Sequence, residues 1–252
     1  MDTPELEAAR DAVRTAAAAL LALRARADVV GRGRPLAELG DALAHELVVG
    51  RLRQAFPRDV ILSEEGEPVD AGSRPRRLWV VDPLDGTKEF SSGVRMDWAV
   101  QVALVVHRKP VLGVVALPAQ GIELHTGEAP LRAARPEGPL RIAVSRSRPP
   151  AVAAGLALAL DAQLVPLGSV GAKTAAVIDG TADLYIHAGG QYEWDSAAPV
   201  AVARAAGLEA SRVDGSALRY NQPDPYLPDL LIARPEVAAK ARAALAELLL
   251  TV

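Results

Sequence analysis

The chain has 252 residues, half of them apolar, and its 28 basic and 31 acidic side chains leave a net charge of −3. A chain of that length buries roughly three quarters of the surface it would expose unfolded, so it is not disordered and needs neither metal nor disulfide merely to fold. It contains no cysteine, which excludes a disulfide scaffold, a thiolate metal centre and a cysteine nucleophile, and its near-balanced charge argues against a broad nucleic-acid or membrane footprint.

In chain order, apolar spacing over Leu6–Leu23 predicts an Ala-rich helix whose apolar run at 16–23 is too short to cross a bilayer. Asp2, Glu5, Glu7 and Asp11 stand where a secretory leader would be basic. GRGRP at 31–35 reads as a loop. A second helix is expected from Asp41 as N-cap, carrying Leu43, Leu47, Val48, Leu52 and Phe56 and ending before Pro57. VILS at 60–63 and LWVV at 78–81 are short branched runs, each ending in acids, Glu64-Glu65 and Asp82. Residues 98–106 and 111–117 flank Lys109-Pro110 as an antiparallel hairpin, and 128–139 has the composition of a connector. A strand at 140–145, a helix near 151–161, a strand near 163–167, a helix over 172–179 and a strand at 183–187 come next. A helix after Asp195, a strand near 229–233 and a terminal helix at 235–249 complete the chain. This alternation favours a layered α/β architecture. We divide it into an N-terminal α+β half, 1–135, and a C-terminal α/β half, 136–252, forming one catalytic unit.

The most informative segment is WVVDPLDGTKEF at 79–90. Pro83 fixes φ between Asp82 and Asp85 and Gly86 permits a sharp turn, so both acids can converge at a strand end. Gly86 and Thr87 then open a helix whose amides suit a phosphate. Acids beside a phosphate seat repel the substrate unless hard divalent cations lie between, and Mg²⁺ suits a few carboxylates plus phosphate oxygens. Taken alone, D-P-x-D-G reads equally well as a turn. Glu64-Glu65 at a strand end, Asp41 on an early helix and Asp195 before another add acids in the number a two-metal phosphatase needs.

ILSEEGE, WVVDPLDGTKEF and YEWDSAAPVAVARAAG together resemble the signatures of the inositol monophosphatase superfamily, in the same order over nearly the whole chain. Lys88-Glu89-Phe90, VSRSR at 144–148 and GSVGAK at 168–173 resemble its 3′-phosphoadenosine 5′-phosphate phosphatase (CysQ-type) branch, particularly actinobacterial members. The resemblance implies an α-β-α-β-α sandwich, a homodimer, two or three Mg²⁺ ions, lithium sensitivity and a cytoplasmic enzyme of sulfur metabolism. By motif, Glu64, Asp82 and the Leu84 carbonyl would bind one metal and Asp82, Asp85 and Asp195 a second. Asp41 would stand near a third, although this chain has Glu38 where the family often has threonine. Glu65 would support the ligands. Metal-activated water would attack the phosphate in line, with Glu64 and Thr87 orienting and deprotonating it and the Gly86 and Thr87 amides holding the ester. Lys88, Arg146 and Lys173 are candidates for the phosphate that is not cleaved. Trp98, Tyr192 and Trp194 lie near the motifs, with no one of them singled out for the adenine.

GSVGAKT at 168–174 is not a P-loop, because Ala172 separates Gly171 from Lys173. The four histidines, 45, 107, 125 and 187, lack paired ligand spacing, so surface or core roles are expected for them. The expected activity is removal of the 3′-phosphate of 3′-phosphoadenosine 5′-phosphate, or of its sulfated relative. An inositol-1-phosphate or fructose-1,6-bisphosphate phosphatase is the alternative. A catalytically silent metal-binding or interaction module is the non-enzyme reading, opposed by the intact acids.

Overall fold

A computed structural model describes residues 3–67, 69, 75–128 and 132–249. Helix α1 (Pro4–Arg24) starts where Thr3 accepts the Leu6 amide, 3.3 Å, and Pro4 occupies the first turn. It buries Leu6, Ala9, Val13, Ala16 and Leu20, a stripe at helical spacing. After the single turn α2 (Ala27–Val30), helix α3 (Arg34–Ala55) begins eight residues earlier than expected, with Gly33 and not Asp41 as its N-cap. The proline of GRGRP lies in its first turn, where a missing N–H costs nothing. Asp41 is therefore not a cap but lies two turns inside the helix.

The first sheet contains β1 (Val60–Ser63), β2 (Arg77–Asp85), β3 (Ala99–Val106), β4 (Lys109–Leu117) and β5 (Ile122–His125), in that spatial order. Strands β1 and β2 are parallel and the rest antiparallel, including the expected hairpin. Of the connector at 128–139, residues 129–131 lie outside the described residues. The second sheet has β6 (Leu140–Ser145), β7 (Ala162–Leu167), β8 (Leu184–Tyr192), β9 (Glu209–Ser211) and β10 (Tyr226–Ala233), ordered β7-β6-β8-β10-β9. The remaining helices are α4 (Thr87–Ser91), α5 (Val152–Leu160), α6 (Val170–Asp179), α7 (Glu193–Ala205) and α8 (Pro235–Leu249).

Three cores define the layers. Leu20, Leu36, Val48 and Leu52 of α1 and α3 pack on Trp79, Val81, Val102 and Val114, one face of the first sheet. The opposite face, through Leu78, Val80, Ala103 and Val115, meets α6 and α7, which also cover Tyr185, Leu230 and Ile232 of the second sheet. The outer face of that sheet is closed by α5 and α8 through Leu156, Leu160, Ala241 and Leu245. The result is the α-β-α-β-α sandwich. Because α6 and α7 are gripped on both sides, they are apolar nearly all round, and α6 is buried from Val170 to Ile178. Small residues permit the approach. A Cβ at Gly113 on β4 would lie 2.7 Å from the Ala198 carbonyl oxygen of α7, and one at Gly171 on α6 would lie 2.8 Å from Ala99 Cβ.

Strand β8 runs to Tyr192, five residues past the expected end at 187, through Gly189 and Gly190, both at positive φ. Pairing with β10 carries the strand through them, with a register shift between Leu227 and Asp229. Tertiary pairing here overrides local preference.

Candidate active site

Strands β1 and β2 run parallel, so the acids at their C-terminal ends lie side by side: Glu64 just after β1, and Asp82 and Asp85 at the end of β2. Two residues three apart on a regular strand face opposite sides. Here Asp82 is opposite Gln101 and Asp85 opposite Ala99, so β2 spends three steps where β3 spends two. That extra residue, beside a proline that donates no hydrogen bond, is a bulge, and it turns both acids to the same side. The third acid comes from far along the chain. Asp195 sits in the first turn of α7, its carboxylate accepting the Tyr192 amide at 2.7 Å in a capping box. Carboxylate oxygens of Asp82, Asp85 and Asp195 lie within 4.8 Å of one another. Pro199 inside α7 removes the amide that would otherwise bond the Asp195 carbonyl.

Of the neighbours that hold these acids, Gln101 lies outside every quoted motif. Asp85 accepts hydrogen bonds from the Gln101 amide nitrogen and from the Gly171 backbone N–H, 3.0 Å, at the start of α6. Asp82 accepts the Leu84 amide at 3.2 Å. Burial raises the Asp82 carboxyl well above its ordinary range, and Asp85, Glu64 and Asp195 raise it further. Burial lifts Asp85 to about 7 even though the nearby Lys173 ammonium opposes the change. Asp195 is also raised by burial. Glu64 faces the cavity opening, yet loss of hydration, together with the charges of Asp195, Asp85, Glu65 and Asp41, brings it to about 8. Like charges crowded together away from water disfavour one another's ionised forms, and a cation placed among them would relieve that repulsion.

The cavity they line has a volume of about 320 Å³. Gly86, Thr87 and Lys88 form one wall, and Gly86 adopts φ +88° with no room to spare beside Trp98 and Ser169. The Thr87 hydroxyl is 3.2 Å from Asp41 Oδ1 and 3.1 Å from the Leu84 carbonyl oxygen. Asp41, raised to about 6 by burial and Glu65, therefore stands behind Thr87 and outside the three-acid cluster. Glu65 turns to a neighbouring cavity with His45 and Ser63.

Two expected phosphate cations are used otherwise. Arg146 binds Glu89 at 3.0 Å, Asp97 at 2.6 Å and the Pro166 carbonyl, and is absent from the cavity lining. Asp97 in turn accepts the Gly168 amide, so this cluster ties α4 to the turn before α6. Lys173 is buried, donates to the carbonyls of Gly168 and Ser169 and lies 5.1 Å over the Tyr185 ring. Burial lowers it to about 8. It touches the cavity wall as a strut. Lys88 is exposed on the lining. Trp98 is core, edge-on to Phe90 at 5.1 Å, whereas Tyr192 and Trp194 stack at 4.8 Å on the cavity wall. His187 lines the cavity with Nε2 2.8 Å from the Gly190 carbonyl. Arg148, Ser145 and Ser147 also line it. Strand alternation in VSRSR would place residues 146 and 148 on one face, but the strand ends at Ser145 and the bend that follows separates their side chains.

All donors at the acid cluster are oxygens, hard ligands suited to Mg²⁺-type cations and unsuited to soft metals, so the residues present fit such ions.

A family model described as the inositol monophosphatase family matches residues 2–251. A Mycobacterium bovis protein named 3′-phosphoadenosine 5′-phosphate phosphatase is 49% identical over 237 residues, 90% of this chain and 88% of that one. The Escherichia coli 3′(2′),5′-bisphosphate nucleotidase CysQ is 36% identical over 200 residues, covering 74% and 80%. The crystal structure of CysQ from Bacteroides thetaiotaomicron, a member of the same family, superposes with a TM-score of 0.79 at 28% identity, covering 90% and 96%.

Proposed function

The chain belongs to the inositol monophosphatase family, and we propose that within it this protein is a Mg²⁺-dependent nucleotidase removing the 3′-phosphate of 3′-phosphoadenosine 5′-phosphate. The observation that carries this reading is the meeting of Asp82, Asp85 and Asp195 in one cavity beside Thr87, in a chain half identical to proteins named for that reaction.

Asp82, Asp85 and Asp195, with Glu64 and the Leu84 carbonyl, would hold two cations, and Asp41 would border a third. When bound, divalent cations supply charge neutralisation at the phosphoryl oxygens and acidify water. The chain does the rest. The Thr87 hydroxyl, which can donate to Asp41 or to the Leu84 carbonyl, presents its lone pair to the attacking water. Glu64 takes the proton of that water at a carboxylate oxygen. Amides of Gly86 and Thr87 hold the ester in line with the attack, so that the water oxygen bonds to phosphorus as the bond to the ribose 3′-oxygen breaks, and that oxygen takes up a proton from solvent to leave as the 3′-hydroxyl. Catalysis of this kind is positioning plus electrostatics.

The same reading includes acceptance of the sulfated relative, a homodimer, sensitivity to lithium, a cytoplasmic location and a role in sulfur metabolism. Among the described residues no helix is long and apolar enough to cross a membrane. The test is phosphate release from 3′-phosphoadenosine 5′-phosphate, inositol 1-phosphate and fructose 1,6-bisphosphate at fixed Mg²⁺, with a chelator control. The nucleotide should give the highest kcat/KM, and faster turnover of either sugar phosphate refutes the assignment.

A further inference from the structure

We infer that His45 is a positioning residue for Glu64, acting through Ser63 to fix the turn after β1 on the same helix that steadies Thr87. That role rests on the proposed reading of Glu64 as the group that takes the proton of the attacking water.

Asp82, Asp85 and Asp195 are each tethered at the carboxylate: Asp82 by the Leu84 amide, Asp85 by Gln101 and the Gly171 amide, Asp195 by the Tyr192 amide. The Glu64 carboxylate accepts no hydrogen bond and forms no ion pair among the described residues, although it lines the same cavity. Its place is therefore set by the backbone that carries it. That backbone leaves β1 through a long bond, from the Glu64 N–H to the Val81 carbonyl at 3.3 Å, and closes a tight turn in which the Gly66 N–H donates to the Ser63 carbonyl at 3.0 Å. Ser63 ends the strand and opens the turn. It is buried, and its hydroxyl lies 3.0 Å from His45 Nδ1. The imidazole also backs the turn, since a Cβ at Gly66 would stand 3.3 Å from Ser63 Cβ and 3.7 Å from His45 Cε1.

His45 follows Asp41 by one turn of α3, so the two side chains share a face of that helix. Asp41 reaches the Thr87 hydroxyl at 3.2 Å and His45 reaches the Ser63 hydroxyl at 3.0 Å. One rigid body thereby holds both groups assigned to the attacking water, the hydroxyl that orients it and the acid that deprotonates it. The helix is itself seated closely on the segment carrying Asp85 and Thr87: a Cβ at Gly40 would lie 2.6 Å from the Phe90 ring and 2.9 Å from Leu84. Removing the ring nitrogen leaves a buried hydroxyl unpaired and loosens the turn. Glu64 then loses its fixed approach to the water, while the amides of Gly86 and Thr87 still hold the ester.

The experiment is steady-state hydrolysis of 3′-phosphoadenosine 5′-phosphate in saturating Mg²⁺, below the melting temperature of each protein, by the parent, His45→Leu, His45→Asn and Ser63→Ala. Leucine keeps the bulk and loses the bond, whereas asparagine carries a polar atom where Nδ1 stood. His45→Leu should lower kcat by about 5- to 50-fold with KM within about twofold of the parent, as expected when a base is displaced and binding is intact. His45→Asn should recover most of that loss. Ser63→Ala should reproduce it, and carries the test if His45→Leu does not fold. In a Glu64→Gln background, His45→Leu should add no further loss, because a residue acting only through Glu64 has nothing left to act on. A merely structural role would multiply the two losses. Unchanged kcat in His45→Leu and Ser63→Ala, a loss mainly in KM, no recovery by asparagine, or multiplied losses with Glu64→Gln overturns the inference while leaving the nucleotidase reading in place. Should the parent prefer a sugar phosphate, the nucleotidase reading falls, and the same comparisons on that ester still decide the role of His45. Full activity in Glu64→Gln overturns the assignment of the base and the inference with it.

Discussion

Replacing Asp195 with Asn separates the charge of the site from its shape. The Tyr192 amide donates to the Asp195 carboxylate at 2.7 Å, and an Asn carbonyl can accept the same bond, so the cap of α7 survives. What is lost is one negative charge within 4.8 Å of Asp82 and Asp85. Two ionised carboxylates at that distance repel by about 3.5 kcal/mol for an effective dielectric near 20. Partial protonation of these acids, all of them raised, limits the relief to the scale of one such pair. For a chain of this size each kcal/mol moves the melting point by about 2 °C or more. In chelator at pH 8, Asp195→Asn should therefore melt roughly 7 °C above the parent. In saturating Mg²⁺ the order should reverse, and hydrolysis should fall on the order of 100-fold or more. Thermal melts in chelator and in Mg²⁺, paired with phosphate release, read both effects. A variant that melts below the parent in chelator, or whose shift is indifferent to Mg²⁺, would sink the argument that these acids form a cation cage.

The pH dependence has a definite sign. Folding raises Asp41 to about 6, Asp85 to about 7 and Glu64 to about 8, so near neutrality the folded protein without cations holds more protons than the unfolded chain. Stability in chelator should decline as pH rises from about 5.5 to 7.5, and the gap between melts in Mg²⁺ and in chelator should widen; a constant gap contradicts the reasoning. Arg146→Ala cuts the tie between α4 and the turn before α6. It should cost about 1–3 kcal/mol, discounted for partial exposure, and lower kcat for bisphosphate and monophosphate alike. A loss confined to the bisphosphate in steady-state assays would return Arg146 to substrate binding. Gly86→Ala forces a Cβ onto φ +88° and to 3.3 Å from Trp98 and Ser169. Denaturant melts should show about 1–2 kcal/mol lost, and an unchanged midpoint would show that the turn relaxes freely.

Much of the site is legible because the acids terminate elements whose periodicity is plain: VILS into Glu64, LWVV into Asp82, and the apolar run after Asp195. Their convergence is not fully readable, since it depends on a bulge that appears only when β2 is paired with β3. Asp41 reads as a cap only if Pro35 belongs to a loop, whereas proline in a first helical turn starts α3. Arg146 and Lys173 announce only their charge: Arg146 finds Glu89 and Asp97 in another segment, and Lys173 turns back on the Gly168 carbonyl of its own. Gln101 carries no motif and is known only by what it holds. The short strands β5 and β9, of mixed burial, offer no periodicity to detect.

The middle pair of helices has an evolutionary consequence. Asp195 and the amide that steadies Asp85 sit at the heads of α7 and α6, and both bodies are clamped between sheets with no slack for a methyl group at Gly113 or Gly171. Drift in that layer is punished immediately. Ser147, Arg148 and Tyr192 lie outside the clamp, exposed at the lip. A lineage built on this scaffold can exchange one ester for another by editing the lip, inheriting the reactive centre unaltered.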